Sequence, residues 1–507
     1  MPFHSKQNRA RIAVLSVSLM AMVFVSPLAW GAEHLPDTVS AIDGSASEAG
    51  VDETEGSPEP HRVPSAQDAG AVEDPQPGSK ALTEHSLTME EVLSLAQLFL
   101  EKQQLDDAEK IYRSLLKSNA SENIRTEAAF QIGQILVYRG RYREAVLYFI
   151  AILNRNPDLP RVRLELARAY FLDKNYPDAT LQFELVKGGD LPPEVIANVD
   201  AFLDSIRRQK NWTVDFSMSP VLDSNINQAS RDKEECLDIW GIILCRPLEE
   251  KSNGVGLNIN AYLDYFKRFS RDWGLRASAG FNALEYTGRE FDDYSLYAAL
   301  GPRYLWANGE ASLQPTFRKR WYAGKQYREE YGLRVDGRRI LNRVILDASA
   351  SYAANRYDNA LFRDILNGFS WGAQLQPRYI LNGRTFILAG LEFQREKTRD
   401  AAYSNDNWSY SLGVYRVLPY GFSLFLQGSL TKSRYHAPQW YVTRDNRIDE
   451  TVRKDKIWGL GLSLSSNRLE KYNLTPVLRY GYTKRTSNIW SREYDRSRLD
   501  LLMNLRI

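Results

Sequence analysis

The stretch VGLNINAYLDY, residues 255–265, decides the fold class because its apolar and polar residues alternate along its whole length. Alternation with a period of two is typical of a β-strand with one apolar face. The same pattern recurs in FSWGAQLQPRY at 369–379, in WGLGLSL at 458–464 and in LDLLMNLRI at 499–507. From Trp212 onward, the sequence therefore predicts a succession of long antiparallel strands.

The connections between these strands are alternately short and long. Tight turns are predicted near 271–272, 308–309, 342–343, 382–383, 419–421 and 467–472, and longer polar stretches at about 221–253, 286–293, 320–330, 354–367, 395–407, 432–456 and 485–496. Outer-membrane barrels have short periplasmic turns and longer external loops. Six turns and seven loops predict a 14-stranded antiparallel transmembrane β-barrel over 211–507, with the preceding domain in the periplasm and the long loops outside the cell.

The composition agrees with a barrel and excludes some other classes. Mean hydropathy is −0.43, which is ordinary for a barrel because lipid-facing and lumen-facing residues alternate. The chain has 28 tyrosines and 11 tryptophans, and every tryptophan except Trp30 lies at or beyond Trp212. The net charge of +2 gives no reason to expect binding to nucleic acid.

The first 86 residues carry a leader and a linker. Lys6, Arg9 and Arg11 precede an apolar run over 12–25, which predicts a signal peptide over 1–31 with cleavage after Gly31. Residues 32–86 are rich in small and acidic residues and poor in aromatics. They cannot bury enough apolar surface to offset their chain entropy, so we expect a disordered acidic linker.

Residues 87–210 contain a repeat of helical pattern. Small residues recur at aligned positions in three units, with Ala108, Ala145 and Ala179 as the reference and an aromatic residue four positions later. The second and third units are 34 residues apart, the period of the tetratricopeptide repeat. The sequence predicts three such repeats, closed by a capping helix over 193–208.

Residue types typical of catalysis or metal binding are few. His436 is the only histidine after the repeats, so we expect no enzyme, no metal site and no cofactor. The G-x-S-x-G pattern at 368–372 lies in a predicted strand instead of the strand-to-helix turn that a nucleophile needs. Cys236 and Cys245, in the first long loop, are predicted to form a disulfide in an oxidising compartment.

The face opposite the apolar one predicts which side chains line the lumen. Charged candidates for a passage or docking surface are Arg276, Arg318, Arg334, Arg378, Glu392 and Arg479. Among the external loops, Trp240, Trp440 and Tyr441 are exposed aromatics of the kind that anchor partners.

Three further segments carry a resemblance to a known family: VRLELARA at 162–169, LPPEV at 191–195 and DSNIN at 223–227. Together with repeats that precede a single 14-strand barrel, they resemble the surface lipoprotein assembly modulator (Slam) family over about 87–507. The resemblance implies translocation of specific cargo, a lipoprotein or a small secreted protein, across the outer membrane by a type XI route. Candidate cargo-binding residues in or near these segments are Arg161, Arg163, Arg168, Asn198, Asp223, Asn225 and Asn227.

The resemblance also implies partners. We expect the cargo protein, the barrel-assembly machinery, periplasmic chaperones and outer-membrane lipid, and in host-associated relatives a contribution to colonisation of the host surface. Two alternatives stay open. An exopolysaccharide export porin has the same plan, usually with more repeats and strands. A surface adhesin or host-recognition barrel would act through its long loops.

Overall fold

The computed structural model describes residues 87–209, 211–240, 242–466, 469 and 474–506. The predicted signal peptide and linker lie outside these residues. The chain divides into two compact units, of which one ends at Ile132 and the other begins at Gly133. The two units are described separately.

The first unit contains the first pair of helices. Helix α1 spans Met89–Glu101, α2 spans Leu105–Lys117, and α3, which spans Glu122–Tyr138, begins here. A capping box starts α1, since the Thr88 side chain accepts a hydrogen bond from the Glu91 N–H and the Glu91 carboxylate accepts one from the Thr88 N–H. Ala96 and Ala108, small residues at aligned repeat positions, are fully buried.

The second unit continues the array. Helix α4 spans Tyr142–Arg155, α5 Pro160–Leu172, α6 Tyr176–Val186 and α7 Pro193–Gln209. Close packing explains the small repeat residues: a Cβ added at Gly133 would lie 2.5 Å from the ring of Phe149. Paired helices with buried small residues and aromatics between them confirm the tetratricopeptide-repeat prediction.

The rest of the second unit is a closed antiparallel barrel of 14 strands, as predicted. Two short strands, β2 and β3, form a separate hairpin inside the first loop. Strand β1 pairs with β4 on one side and with the last strand, β16, on the other, which closes the barrel. The strands are β1 Trp212–Asp223, β2 Glu234–Ile239, β3 Ile242–Pro247, β4 Gly254–Arg268, β5 Trp273–Tyr286, β6 Asp293–Trp306, β7 Gly309–Tyr322, β8 Lys325–Leu341, β9 Val344–Tyr357, β10 Gly368–Asn382, β11 Thr385–Thr398, β12 Asn405–Val417, β13 Phe422–Val442, β14 Ile448–Ser466, β15 Leu474–Ser487 and β16 Tyr494–Arg506.

The two ends of the barrel differ. We call the end where β1 begins and the short connections lie the turn end, and the opposite one the loop end. Two connections at the loop end are shorter than the sequence predicted. At 320–330, strands β7 and β8 run on to a two-residue turn in which Ala323 and Gly324 both have positive φ, as a type I′ hairpin turn requires. At 432–456, β13 and β14 continue to Val442 and Ile448, which leaves only 443–447 as loop.

Large apolar side chains cover the outer face of the barrel. Leu300, Leu375, Leu412 and Trp458 are among many that are exposed, and their strand neighbours facing the lumen are mostly polar or small. This division is typical of transmembrane barrels. Among the described residues, no helix has the length and apolarity to span a membrane.

Candidate functional site

The turn end of the barrel is occupied by helix α6 of the third repeat. Leu185 is 1% exposed and packs in one cluster with Phe386, Leu388, Tyr415 and Phe425. These four belong to β11, β12 and β13, and each alternates with an outward-facing residue, so their side chains face the lumen. Burial of a leucine stabilises a contact by about 2 kcal/mol or more. Helix α6 of the third repeat is therefore seated in the barrel, and we call this contact the docking site.

An ion pair lies beside this apolar cluster. Arg378, on β10, contacts the carboxylate of Glu184 on α6 at 2.9 Å, and both side chains are buried. Burial has the largest effect on Glu184 and raises its pKa, while the positive charges of Arg378 and Arg338 act in the opposite direction. A buried pair is costly to break from one side, because the remaining charge stays away from water.

Two turns of the barrel complete the docking site. Arg343, in the β8–β9 turn, donates to the carbonyl of Gly189 and to Asp190, each at 3.0 Å. Arg384, in the β10–β11 turn, donates to Asp158 at 2.9 Å. A Cβ added at Gly188 would lie 2.6 Å from the Asn382 carbonyl carbon, so only glycine allows the two backbones to approach this closely.

The six predicted lumen residues all alternate with outward-facing neighbours along their strands. Arg276 pairs with Asp264 at 2.7 Å, and Arg334 pairs with Asp336 at 2.7 Å. Arg318 lies over the ring of Tyr297 and 3.9 Å from Glu330, and Arg378 belongs to the docking site. Glu392 and Arg479 lie on lumen-facing positions of β11 and β15. Their role in passage stays a prediction.

Carboxylates accompany many of the lumen arginines. Arg338 pairs with Asp347 at 2.6 Å and Arg303 with Glu310 at 2.5 Å. The lumen residues predicted from the sequence include more arginines than acidic residues. In the structure, however, many of the arginines that face the lumen are paired with carboxylates.

The predicted cargo-binding residues fall into two groups at opposite ends of the barrel. On the helices, Arg161, Arg168 and Asn198 are exposed. Arg163 is buried, donates to Gln182 at 2.6 Å and to the carbonyl of Pro157, and lies near Arg384. Burial lowers its pKa to about 10, so that it keeps its charge at neutral pH.

The second group, in the DSNIN segment, lies at the loop end. Asn225 is fully buried and donates to the carbonyls of Ala229 and Asp495 at 3.0 and 2.9 Å. Asp223 accepts hydrogen bonds from Arg496 at 2.8 Å and from Tyr286 at 2.9 Å. These contacts join the start of the first loop to β16, across the closing pair of strands. The structure does not bring the two groups together, and cargo binding by either one stays a prediction.

Asn227 belongs to the same network. Its side chain donates to the carbonyl of Glu250 at 2.7 Å and accepts from the N–H of Ser252 at 3.1 Å, which ties the two ends of the first loop together.

The predicted surface aromatics project from hairpins at the loop end. Cys236 and Cys245 form a disulfide between β2 and β3. Trp240, at the tip of that hairpin, is 98% exposed and Trp440 is 73% exposed. Trp440 and Tyr441 lie in strand β13 and not in irregular loop, and Tyr441 is half-buried and not fully exposed as predicted.

Residues that could carry chemistry are not assembled into a site among those that the structure describes. One group of metal-ligand type was found there, Glu234 with Cys236 and Cys245, but the disulfide consumes both thiols. The G-x-S-x-G pattern lies within strand β10.

Sequence reasoning missed the docking site. Leu185 and Glu184 read as ordinary helix residues, and Phe386 and Tyr415 as ordinary strand residues. The one available signal was a lumen-facing apolar set at the turn end of β11–β13, which is unusual for a polar lumen.

The fold and the docking site define the class: an outer-membrane-type β-barrel preceded by tetratricopeptide repeats, of which the third is seated in its turn end. A family model described as surface lipoprotein assembly modifier matches residues 212–504, more than half of the chain, and a tetratricopeptide-repeat model matches 130–188. The chain belongs to the surface lipoprotein assembly modifier family, as its resemblance predicted.

Individual relatives are distant but extensive. The chain is 26% identical to the surface lipoprotein assembly modifier of Pasteurella multocida, over 72% of this chain and 73% of the relative. It is 23% identical to surface lipoprotein assembly modifier 1 of Neisseria meningitidis, over 71% of each chain. Among solved structures, the outer membrane channel DcaP of Acinetobacter baumannii matches 58% of this chain and 97% of that one, at 9% identity and a TM-score of 0.34.

Proposed function

We propose that this protein delivers a specific lipoprotein or small secreted protein to the cell surface, with the repeat domain in the periplasm and the loop end outside. Family membership supports a role in surface lipoprotein assembly in the outer membrane. The observation that carries the finer proposal is the docking site, because it holds the third repeat directly at one mouth of the barrel.

The geometry suggests an order of events. Cargo first binds the helices, where Arg161, Arg168 and Asn198 are exposed. The apolar cluster around Leu185 fills part of the lumen at the turn end. We propose that a polypeptide enters the lumen when α6 moves. Helix α6 then has a docked and an undocked position, and a ligand shifts the equilibrium between two states by its difference in affinity for them. Cargo that binds more tightly to the undocked state would therefore couple its own recognition to opening of the barrel.

The experiment is protease shaving of intact cells, with mass spectrometry of the released peptides. Cells with the wild-type protein are compared with cells that lack it and with cells carrying Arg161→Glu and Arg168→Glu. Arg155→Glu with Lys174→Glu is the matched control, because it reverses two other exposed charges of the same domain.

The proposal predicts that one or a few lipoproteins leave the surface in the deletion strain and yet persist inside the cell. It also predicts that the paired substitution at Arg161 and Arg168 reproduces this loss and the control does not. An unchanged surface proteome in the deletion strain would exclude cargo delivery. Loss of display in both substituted strains would exclude specific docking at these arginines.

A second function rests on the loop end. Trp240 extends from a hairpin stapled by a disulfide, and exposed aromatics are frequent anchors of protein contacts. We infer a second role in binding a host surface, which predicts weaker adhesion of cells carrying Trp240→Ser. Unchanged adhesion together with normal cargo display would exclude it.

A further inference from the structure

Five basic residues share the outer face of three neighbouring strands near the loop end. All are exposed, and they alternate with buried residues such as Thr431, Arg453 and Asp455, which face the lumen. We call this set the basic patch: Lys432 and Arg434 on β13, Lys454 and Lys456 on β14, and Lys484 on β15.

The strand register places like charges directly opposite each other. Lys432 is the cross-strand partner of Lys456, and Arg434 is the partner of Lys454. Directly opposed residues have Cβ atoms about 5 Å apart, and like charges at that spacing are destabilising. Two such pairs in succession on one face therefore favour a bound anion.

The patch differs from two of the other basic residues on the outer face. Lys319 pairs with Glu329 at 2.9 Å, and Arg395 pairs with Asp406 at 2.6 Å. Within the described part of the chain, none of the five patch residues has an acidic side chain in ion-pair contact. Lys319 and Arg395 are thus neutralised within the protein. Arg434 and Lys484 also have a carboxylate as cross-strand partner, Asp406 and Asp495, but each of these carboxylates forms its ion pairs with basic residues outside the patch.

The basic patch also lies at a defined height on the barrel, at the edge of its apolar band nearest the loop end. On β13 every outward residue from Phe422 to Leu430 is apolar or glycine, and Lys432 is the next outward residue. Eight residues span about 26 Å along a strand, or about 20 Å across a membrane at a tilt of about 40°. With side chains added, this matches an apolar band about 25 Å tall. Strand β14 runs in the opposite direction, so there Trp458 follows Lys456 in the sequence and lies on the side of the apolar band.

We propose that the basic patch binds the phosphate groups of a membrane lipid whose acyl chains lie along the apolar face of β13–β15. Lysine and arginine both bind phosphate, and they attract anionic headgroups at the membrane surface. With the loop end outside, as proposed above, this lipid is the phosphorylated glycolipid of the outer leaflet. The bound headgroup fixes the depth of these three strands in the membrane.

The test uses the purified full-length protein in detergent and a hexa-acylated, bisphosphorylated lipid A as the probe, with binding measured at equilibrium. The same lipid without its phosphates and inorganic phosphate alone are the comparison ligands. The patch variant replaces Lys432, Arg434, Lys454 and Lys456 by glutamine. The matched control removes four positive charges from the same face elsewhere: Lys319, Arg356, Arg395 and Lys397, each replaced by glutamine.

We expect the patch variant to bind the phosphorylated lipid at least tenfold more weakly than the wild type and the control to bind within about twofold of it. Each basic side chain near an anionic lipid surface contributes about fivefold in affinity. Equal binding by wild type and patch variant would overturn the proposal. Equal binding of the dephosphorylated lipid would exclude phosphate recognition, and binding of inorganic phosphate as tight as that of the lipid would exclude a lipid ligand.

Folding of each variant is verified by the altered gel mobility of an unheated barrel. If the fourfold variant does not fold, the double variant Lys432→Gln with Lys456→Gln removes one opposed pair and gives the same comparison. Cargo display plays no part in this readout, so the result is independent of the proposed delivery function.

Discussion

Replacing Leu185 by alanine is expected to release helix α6 from the barrel. The substitution removes three carbon atoms from a side chain that is 1% exposed and packed against Phe386, Leu388, Tyr415 and Phe425. Transfer of these atoms to water accounts for roughly 2.4 kcal/mol, and the cavity left behind brings the loss to about 3 kcal/mol. Because 1.4 kcal/mol corresponds to a factor of ten, the ratio of undocked to docked protein rises about 100-fold.

Trypsin can measure this ratio at Lys187, the residue that follows α6. Its side chain is buried and pairs with Asp200 at 2.6 Å, so cleavage there requires the segment to open. When opening and closing are fast relative to cleavage, the cleavage rate follows the population of the open form. The rate at which the fragment ending at Lys187 appears, measured by mass spectrometry, is therefore expected to rise about 100-fold.

Leu147→Ala is the control, because it is the same substitution on α4 at a side chain that is 67% exposed. It is expected to leave the cleavage rate within about twofold of the wild type. If Leu185→Ala left cleavage at Lys187 unchanged in a protein whose barrel is folded, the assignment of Leu185 to a docking contact would be refuted.

Three other predictions concern single contacts. Glu184→Gln removes the charge that Arg378 contacts and is expected to weaken docking by about 2 kcal/mol. The same tryptic assay should then show cleavage at Lys187 about 30-fold faster. An unchanged rate would mean that the ion pair does not hold the helix. Asn225→Ala removes two donated hydrogen bonds and the acceptor for the Ala229 N–H. Hydrogen exchange at the Ala229 amide is therefore expected to accelerate about 100-fold. Protection as in the wild type would contradict the role of Asn225 in fixing the first loop. Replacing both Cys236 and Cys245 by serine is expected to destabilise the β2–β3 hairpin by about 2–3 kcal/mol. Hydrogen exchange should then become faster in that hairpin alone. A fall in the melting temperature of the barrel itself would show that the disulfide supports more than the loop.

The strands and the helical repeats were predictable from the sequence, because both produce regular patterns among residues that are close together in the chain. Alternation in stretches such as 255–265 gave the strands, since a pleated strand exposes successive residues on opposite faces. The repeat spacing around Ala145 and Ala179 gave the helix pairs in the same way. Predictions of connection length were less successful, because a hairpin such as β13–β14 extends beyond the apolar band with polar residues that look like loop.

The candidate site depends on contacts that no local pattern contains. Glu184 meets Arg378 across 194 residues of chain, and Asn225 meets Asp495 across 270. The DSNIN segment could be recognised from the family resemblance, but its structural role became visible only where β16 closes the barrel against β1.

By itself, the sequence determined the 14-stranded barrel, the helical repeats before it and the family to which the chain belongs. Only the tertiary structure decided that α6 fills part of the lumen, that many lumen arginines are neutralised by nearby carboxylates, and that the five residues of the patch on β13–β15 form no ion pair. The physical reason is that periodicity depends on neighbours a few residues apart, whereas packing and charge pairing depend on which distant segments the closed barrel brings into contact.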